Sequence, residues 1–144
     1  MEESLRNPDL TQLLDSAFAL PQRDWSQYSP LTLAWLGDTV FDLIVRTVLL
    51  KQANRPTDKL HRMASGIVNA RAQAGYMEKI LPKLTDREIS IYRRGRNANP
   101  GHTAKNADRA QYMEATGFEC LIGYLYLERQ YERILELTVD LFPR

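Results

Sequence analysis

The chain has 144 residues, 44% hydrophobic and 26% charged, with a formal net charge of +1, which is the size and balance of one globular domain. A lone cysteine, Cys120, excludes a disulfide scaffold and fits a reducing compartment. No apolar run is long enough to span a bilayer, and the bulk charge does not announce a nucleic-acid partner.

The opening MEESLRNPDL is acidic and lacks the apolar core of a secretion signal, so a cytoplasmic location is expected. Asp9 is a candidate cap for a short helix, LTQLLDSAFAL, within residues 1–20. PQRDWSQYSP then interrupts the pattern with prolines and small polar residues. Apolar residues at helical spacing predict a long helix from about Leu31 to Lys51. A second helix follows Pro56, capped by Thr57 or Asp58, and carries LHRMASGIVNARAQAGYMEKI as one run. A third starts at the capping-box pattern Thr85-Asp86-Arg87-Glu88 and reaches about Arg96. A fourth spans roughly Ala107 to Glu128, and QYERILELTVDLF forms an amphipathic fifth. No strand is predicted, and the fold class is all-α.

Charge is unevenly spread. Residues 1–30 hold five acids against two bases, and residues 112–144 hold six against three. Between them, RRGRNANPGHTAKNADR (93–109) holds five bases against one acid. This expected loop is where a phosphate backbone would dock, although runs of charge are more often simply solvated.

Two carboxylates sit in unfavourable places. Asp38 has Leu31, Ala34, Trp35, Phe41 and Val45 on its side of the first long helix. Glu119 lies at the centre of the apolar ATGFECLIGYLYL. A carboxylate inside an apolar stripe is costly unless it is paired, hydrogen-bonded or metal-bound. Gly37, Gly117 and Gly123 would let these helices approach closely and bring the two acids together around one cation. The alternative is pairing with Arg46, Arg71 or Arg109, or capping of a helix end. Oxygen ligands alone would favour Mg²⁺, with Mn²⁺ as a substitute. His61 and His102 lack zinc-type spacing. His61 is read as a surface or helix-end residue, and His102 as a possible phosphate contact. Trp35, Phe41, Tyr112, Phe118, Tyr124 and Tyr126 are read mainly as core.

LAWLGDTVFDLIVR resembles the signature helix of the ribonuclease III catalytic domain, with its F-L-G-D-A-V pattern. FECLIGYLYL resembles the second acidic helix of that family, E-A-L-I-G. Together with LHRMASGIVNARAQA and RRGRNANPGHTAKNAD, the chain resembles the narrower Mini-ribonuclease III group, over about Leu31 to Phe142. The resemblance divides the chain into an N-terminal extension, residues 1–30, and a catalytic domain, residues 31–144. It implies a ribonuclease III-type helical homodimer that uses Mg²⁺ to hydrolyse double-stranded RNA, with precursor 23S ribosomal RNA as the expected substrate.

By motif, Asp38 and Glu119 match the catalytic, metal-binding acids, and Trp35 falls where the family has an aromatic residue near the dimer contact. Arg93, Arg94, Arg96, His102, Lys105 and Asn106 are the expected RNA contacts. The larger family has further acids where this chain has Leu31, Ala34 and Thr116. That thinning leaves the metal count open and motivates a rival reading, a non-catalytic RNA-binding or ribosome-assembly protein on the same fold. Asp42 could assist a cation, or pair with Arg46.

Overall fold

A computed structural model describes residues 7–98 and 107–142. Seven α-helices occur among them: α1 (Leu10–Phe18), α2 (Pro30–Gln52), α3 (Thr57–Val68), α4 (Ala70–Ile80), α5 (Asp86–Asn97), α6 (Ala107–Leu127) and α7 (Tyr131–Thr138). Short 3₁₀ turns lie at Trp25–Gln27, Leu81–Lys83 and Val139–Leu141. No strand occurs among the described residues, and none of the described helices is long and apolar enough to cross a membrane.

The local rules act largely as expected at the caps. Asp9 accepts from the Gln12 amide at 2.9 Å, while the Gln12 side chain accepts from Asp9 N at 2.8 Å. Thr85 and Glu88 form the same reciprocal box at the start of α5. Pro30 opens α2, where its missing N–H leaves no unmet bond. The start of α3 differs from expectation. Pro56 holds the capping position without a side-chain bond, and Thr57 and Asp58 are already helical.

The run expected as one helix from Leu60 to Ile80 is two. Asn69 adopts extended backbone (φ −71°, ψ 159°) and accepts from Ala72 N at 2.8 Å, capping α4. Its Nδ2 also donates to the Ser65 carbonyl at 2.9 Å, so one side chain closes α3 and opens α4. Apolar spacing continues through the break and therefore conceals it.

Helices α2 and α6 form the centre. Leu33, Phe41, Val45 and Leu49 meet Phe118, Leu121, Ile122 and Leu125, all essentially inaccessible. Phe41 and Phe118 pack edge to face at 5.0 Å. Met77 and Ile80 of α4, Ile91 and Tyr92 of α5, and Ile134 and Leu137 of α7 complete this core. Two residues read as core are on the surface: Trp35 is 80% exposed and Tyr112 39%.

Glycines set how closely the central helices meet. A Cβ on Gly37 would overlap the Glu119 carbonyl and lie 2.7 Å from Gly123 N. A Cβ on Gly123 would overlap the Leu33 carbonyl. These are backbone atoms and cannot swing aside, so the α2–α6 crossing requires glycine on both helices. Gly117 turns elsewhere. A Cβ there would lie 2.6 Å from the Tyr92 ring, and one on Gly95 would lie 2.9 Å from the Gly117 Cα. Gly117 therefore serves a second crossing, between α5 and α6.

Candidate active site

The α2–α6 crossing brings together the two anomalous acids. Gly37 abuts the backbone of Glu119, and Asp38 is the next residue along α2. The Asp38 residue is exposed, whereas Glu119 is half-buried. Burial, then the neighbouring Asp38 as hydrogen-bond partner and like charge, push Glu119 up to about 8. The shift favours the protonated form of the Glu119 carboxyl beside Asp38. A hydrogen bond from Gln73 opposes the shift by favouring the ionised form. Gln73 is 1% exposed, and sequence reasoning did not select it. Its only signal was an amide between Ala72 and Ala74.

A divalent cation suits this donor set. Two carboxylates converge, one is open to solvent, and the upward shift of Glu119 marks a negative potential that a cation would relieve. No group of three or more Asp, Glu, His or Cys suited to a metal exists among the described residues. The three positions named above for further acids supply none. Ala34 is buried, Leu31 is half-buried, and the Thr116 hydroxyl donates to the Tyr112 carbonyl at 2.9 Å. Asp42 pairs with Arg46 at 3.1 Å. Water and substrate oxygens would complete the coordination shell.

Among the described residues, the three expected RNA-contacting arginines have different surroundings. Arg93 is exposed on α5, lining a groove with Ser90 and Asn97. The Arg94 guanidinium donates to the Ser26 carbonyl and, at 3.0 Å, to the Tyr28 carbonyl, so it holds the chain ahead of α2. Arg96 lies over the Tyr92 ring at 5.7 Å and donates to Asn97 at 3.2 Å. His102, Lys105 and Asn106 lie outside the described residues. His61 is exposed beside Arg46 and Leu50. Trp35 stands one helical turn before Asp38 and shares an exposed face of α2 with Leu43 and Leu50.

One buried ion pair had no sequence signal beyond a cap. Glu88 accepts from Arg133 Nη2 at 2.8 Å and from Nε at 2.9 Å, tying α5 to α7. That pairing holds the Glu88 carboxyl below its ordinary range.

Residues 31–130 match the family model of the ribonuclease III domain. A Mini-ribonuclease 3 of Brevibacillus brevis is 42% identical over 83% of this chain and 90% of its own length. One from Enterococcus faecalis is 44% identical over 80% of this chain and 89% of its own. The crystal structure of a Fusobacterium nucleatum protein superposes with a TM-score of 0.74 at 29% identity, covering 83% of this chain and 95% of that one.

Proposed function

We propose, from the premise that the chain belongs to the ribonuclease III family and is an endoribonuclease, that it cleaves double-stranded RNA with a divalent cation held by Asp38 and Glu119. The observation that carries this reading is the acid pair at the Gly37–Gly123 crossing, with Glu119 pushed up to about 8. Mg²⁺ is the proposed resident ion, with Mn²⁺ as a substitute. When bound, such an ion supplies Lewis acidity toward the scissile phosphate and lowers the pKa of an attached water.

The chain's own residues do the rest. Glu119 gives up its proton so that both carboxylates act as anionic ligands. Gly37 and Gly123 hold the two backbones at the separation that pairs them. Arg93, Arg96 and the basic stretch with His102, Lys105 and Asn106 contact phosphates. Arg94 joins them only by releasing the Ser26 and Tyr28 carbonyls. A-form RNA is read mainly through shape, phosphates and 2′-hydroxyls, so weak sequence selectivity and a steep salt dependence follow. Trp35, with Leu43 and Leu50, is the proposed contact with a second copy of the chain, which would set two sites across one duplex. The proposed substrate is precursor 23S ribosomal RNA, and the proposed location is the cytoplasm.

The test is cleavage of a duplex RNA by the parent protein and by Asp38→Asn, with Mg²⁺ and with a chelator. Cleavage by the parent alone, and only with Mg²⁺, is expected. Undiminished cleavage by Asp38→Asn, or in the chelator, overturns the reading. Reaction on a pre-23S transcript against an unrelated duplex tests the substrate, and sedimentation of Trp35→Ala tests the dimer.

A further inference from the structure

Helices α2, α5 and α6 meet at two glycine crossings, and a single side chain supplies a third joint. Helix α2 meets α6 where Gly37 abuts the Glu119 backbone, and α5 meets α6 where Gly95 abuts Gly117 and Cys120. Arg94, the residue before Gly95, reaches from α5 to the chain that leads into α2. Its Nη1 donates to the Ser26 carbonyl, and its Nη2 donates to the Tyr28 carbonyl at 3.0 Å.

The segment that Arg94 grips is itself well fixed. Asp24 accepts from Ser26 N at 3.1 Å and from Ser26 Oγ at 2.6 Å, at the start of the 3₁₀ turn Trp25–Gln27. Trp25 packs on the core and meets Tyr28 edge to face at 5.2 Å. Ser29 and Pro30 follow, and Ser29 gives the start of α2 no side-chain cap bond. The first turn gathers instead on the Ser29 carbonyl, which accepts from Thr32 N at 3.1 Å, Leu33 N at 3.0 Å and Thr32 Oγ1 at 2.8 Å. The Arg94 tie therefore ends one residue from the carbonyl on which α2 starts, about two turns before Asp38.

A glycine contact fixes how near two helices come at one point. It leaves their tilt and axial sliding free, and a tie from the end of one helix to a third helix removes that freedom. Arg94 supplies geometry here. Its acceptors are neutral carbonyls, reached by both terminal nitrogens of a planar fork that the single nitrogen of a lysine cannot reproduce. Its neighbour Arg93 is exposed and lines the outer groove of α5.

We infer that Arg94 is a positioning residue of the cleavage site, which keeps its two carbonyls while RNA is bound and so sets α2, and Asp38 with it, against Glu119. The inference rests on Asp38 and Glu119 being the catalytic acids, and it leaves phosphate contact along α5 to Arg93 and Arg96.

The experiment compares the parent, Asp38→Asn, Arg93→Met, Arg94→Lys and Arg94→Met. Duplex-RNA affinity is measured against salt concentration in a chelator, cleavage kinetics in Mg²⁺, and amide hydrogen exchange without RNA. Arg94→Lys keeps the charge and loses the fork, so it should behave as Arg94→Met does. Both should lower kcat about ten- to a hundredfold with KM within about twofold, the effect of a small misplacement of a reacting group. Both should keep the parental salt slope and speed exchange at the Thr32 and Leu33 amides while leaving α7 unchanged. Arg93→Met should instead lower the slope by about one and raise KM. Parental kcat in a folded Arg94→Lys, exchange raised evenly through the chain, or a salt slope lowered in Arg94→Met and restored in Arg94→Lys overturns the Arg94 inference alone. Undiminished cleavage by Asp38→Asn, or none by the parent, overturns the acid-pair reading and this inference with it. Should both Arg94 variants fail to fold, the parent decides. Its Arg94 Nη resonances should hold their positions when duplex RNA binds, and a shift like that of Arg93 overturns the inference.

Discussion

Helix α6 is crossed twice at glycine, and the two crossings have opposite chemistry. Where α2 meets it, Gly37 and Gly123 bring backbone against backbone, and the adjacent side chains are the carboxylates of Asp38 and Glu119. Where α5 meets it, Gly95 and Gly117 do the same packing, but the adjacent side chains are Tyr92 and Cys120. The first crossing leaves Asp38 in solvent, whereas the second is closed. Close helix approach is thus a packing device in its own right. The two differ in that only the first sets carboxylates beside its glycines and leaves one edge open.

The largest effect should come from removing the acids at the first crossing. Glu119→Gln should reduce duplex-RNA cleavage about a thousandfold or more in Mg²⁺, with an unchanged circular dichroism spectrum. The corresponding change at the second crossing, Cys120→Ser, should leave turnover per folded molecule intact, and loss of turnover there would erase the contrast.

Substituting the glycines sharpens it further. Gly37→Ala puts a methyl into the Glu119 carbonyl, and Gly117→Ala puts one against the Tyr92 ring and carbonyl. Each should cost about 1–3 kcal/mol and lower Tm by about 5 °C. Only Gly37→Ala should also reduce cleavage per folded molecule, because it moves one acid relative to the other. Equal losses in kcat would show that the crossings are not functionally distinct.

Helix α5 has a charged mooring of its own, to α7, and acid should weaken it. Arg133 holds the Glu88 carboxyl below its ordinary range, so the folded state favours the ionised form. The stabilisation is present above the ordinary glutamate value, about 4.3, and is lost as pH falls through the lower folded value. Glu88→Gln should therefore lower Tm at pH 7 and flatten the acid limb of the Tm–pH curve. An unchanged acid limb would remove Glu88 as its source.

The smallest effect concerns the Cys120 thiol, which burial pushes up to about 12. A thiol reagent at pH 8 should leave native protein unmodified and react fully in denaturant. Rapid reaction of native protein would show that the α5–α6 crossing opens.

Much of this contrast was legible in the residues. Asp38 and Glu119 stood out because a carboxylate in an apolar stripe needs an explanation. Gly37 and Gly123 were legible as contact points because nothing else in a helix interior accounts for glycine. Their geometric pairing followed, and the role of Gly117 at a different crossing did not, since spacing along one helix cannot say which neighbour a face meets. The break at Asn69 was hidden because the apolar period runs through it. Gln73 was hidden because a glutamine on a helix is ordinary until its burial is known. Trp35 read as core because it shares spacing with apolar residues, yet it lies at the edge of the stripe and is left uncovered. The bonds of Arg94 to Ser26 and Tyr28 join residues nearly seventy positions apart, a distance at which pattern is silent.

Those bonds also alter what a boundary at residue 30 means. The match to the family begins at residue 31, yet the described chain before it is fastened at two places, by Arg94 near Ser26 and by Tyr131 and Arg129 at the start of α1. Arg94 spends its guanidinium on two backbone carbonyls within the protein. Shortening the chain to residue 31 would leave its guanidinium without those carbonyls, on the helix that leads into the basic stretch. The leading segment thus holds the Arg94 guanidinium on acceptors inside the protein, and trimming it would release that cation without changing a single residue of the matched domain.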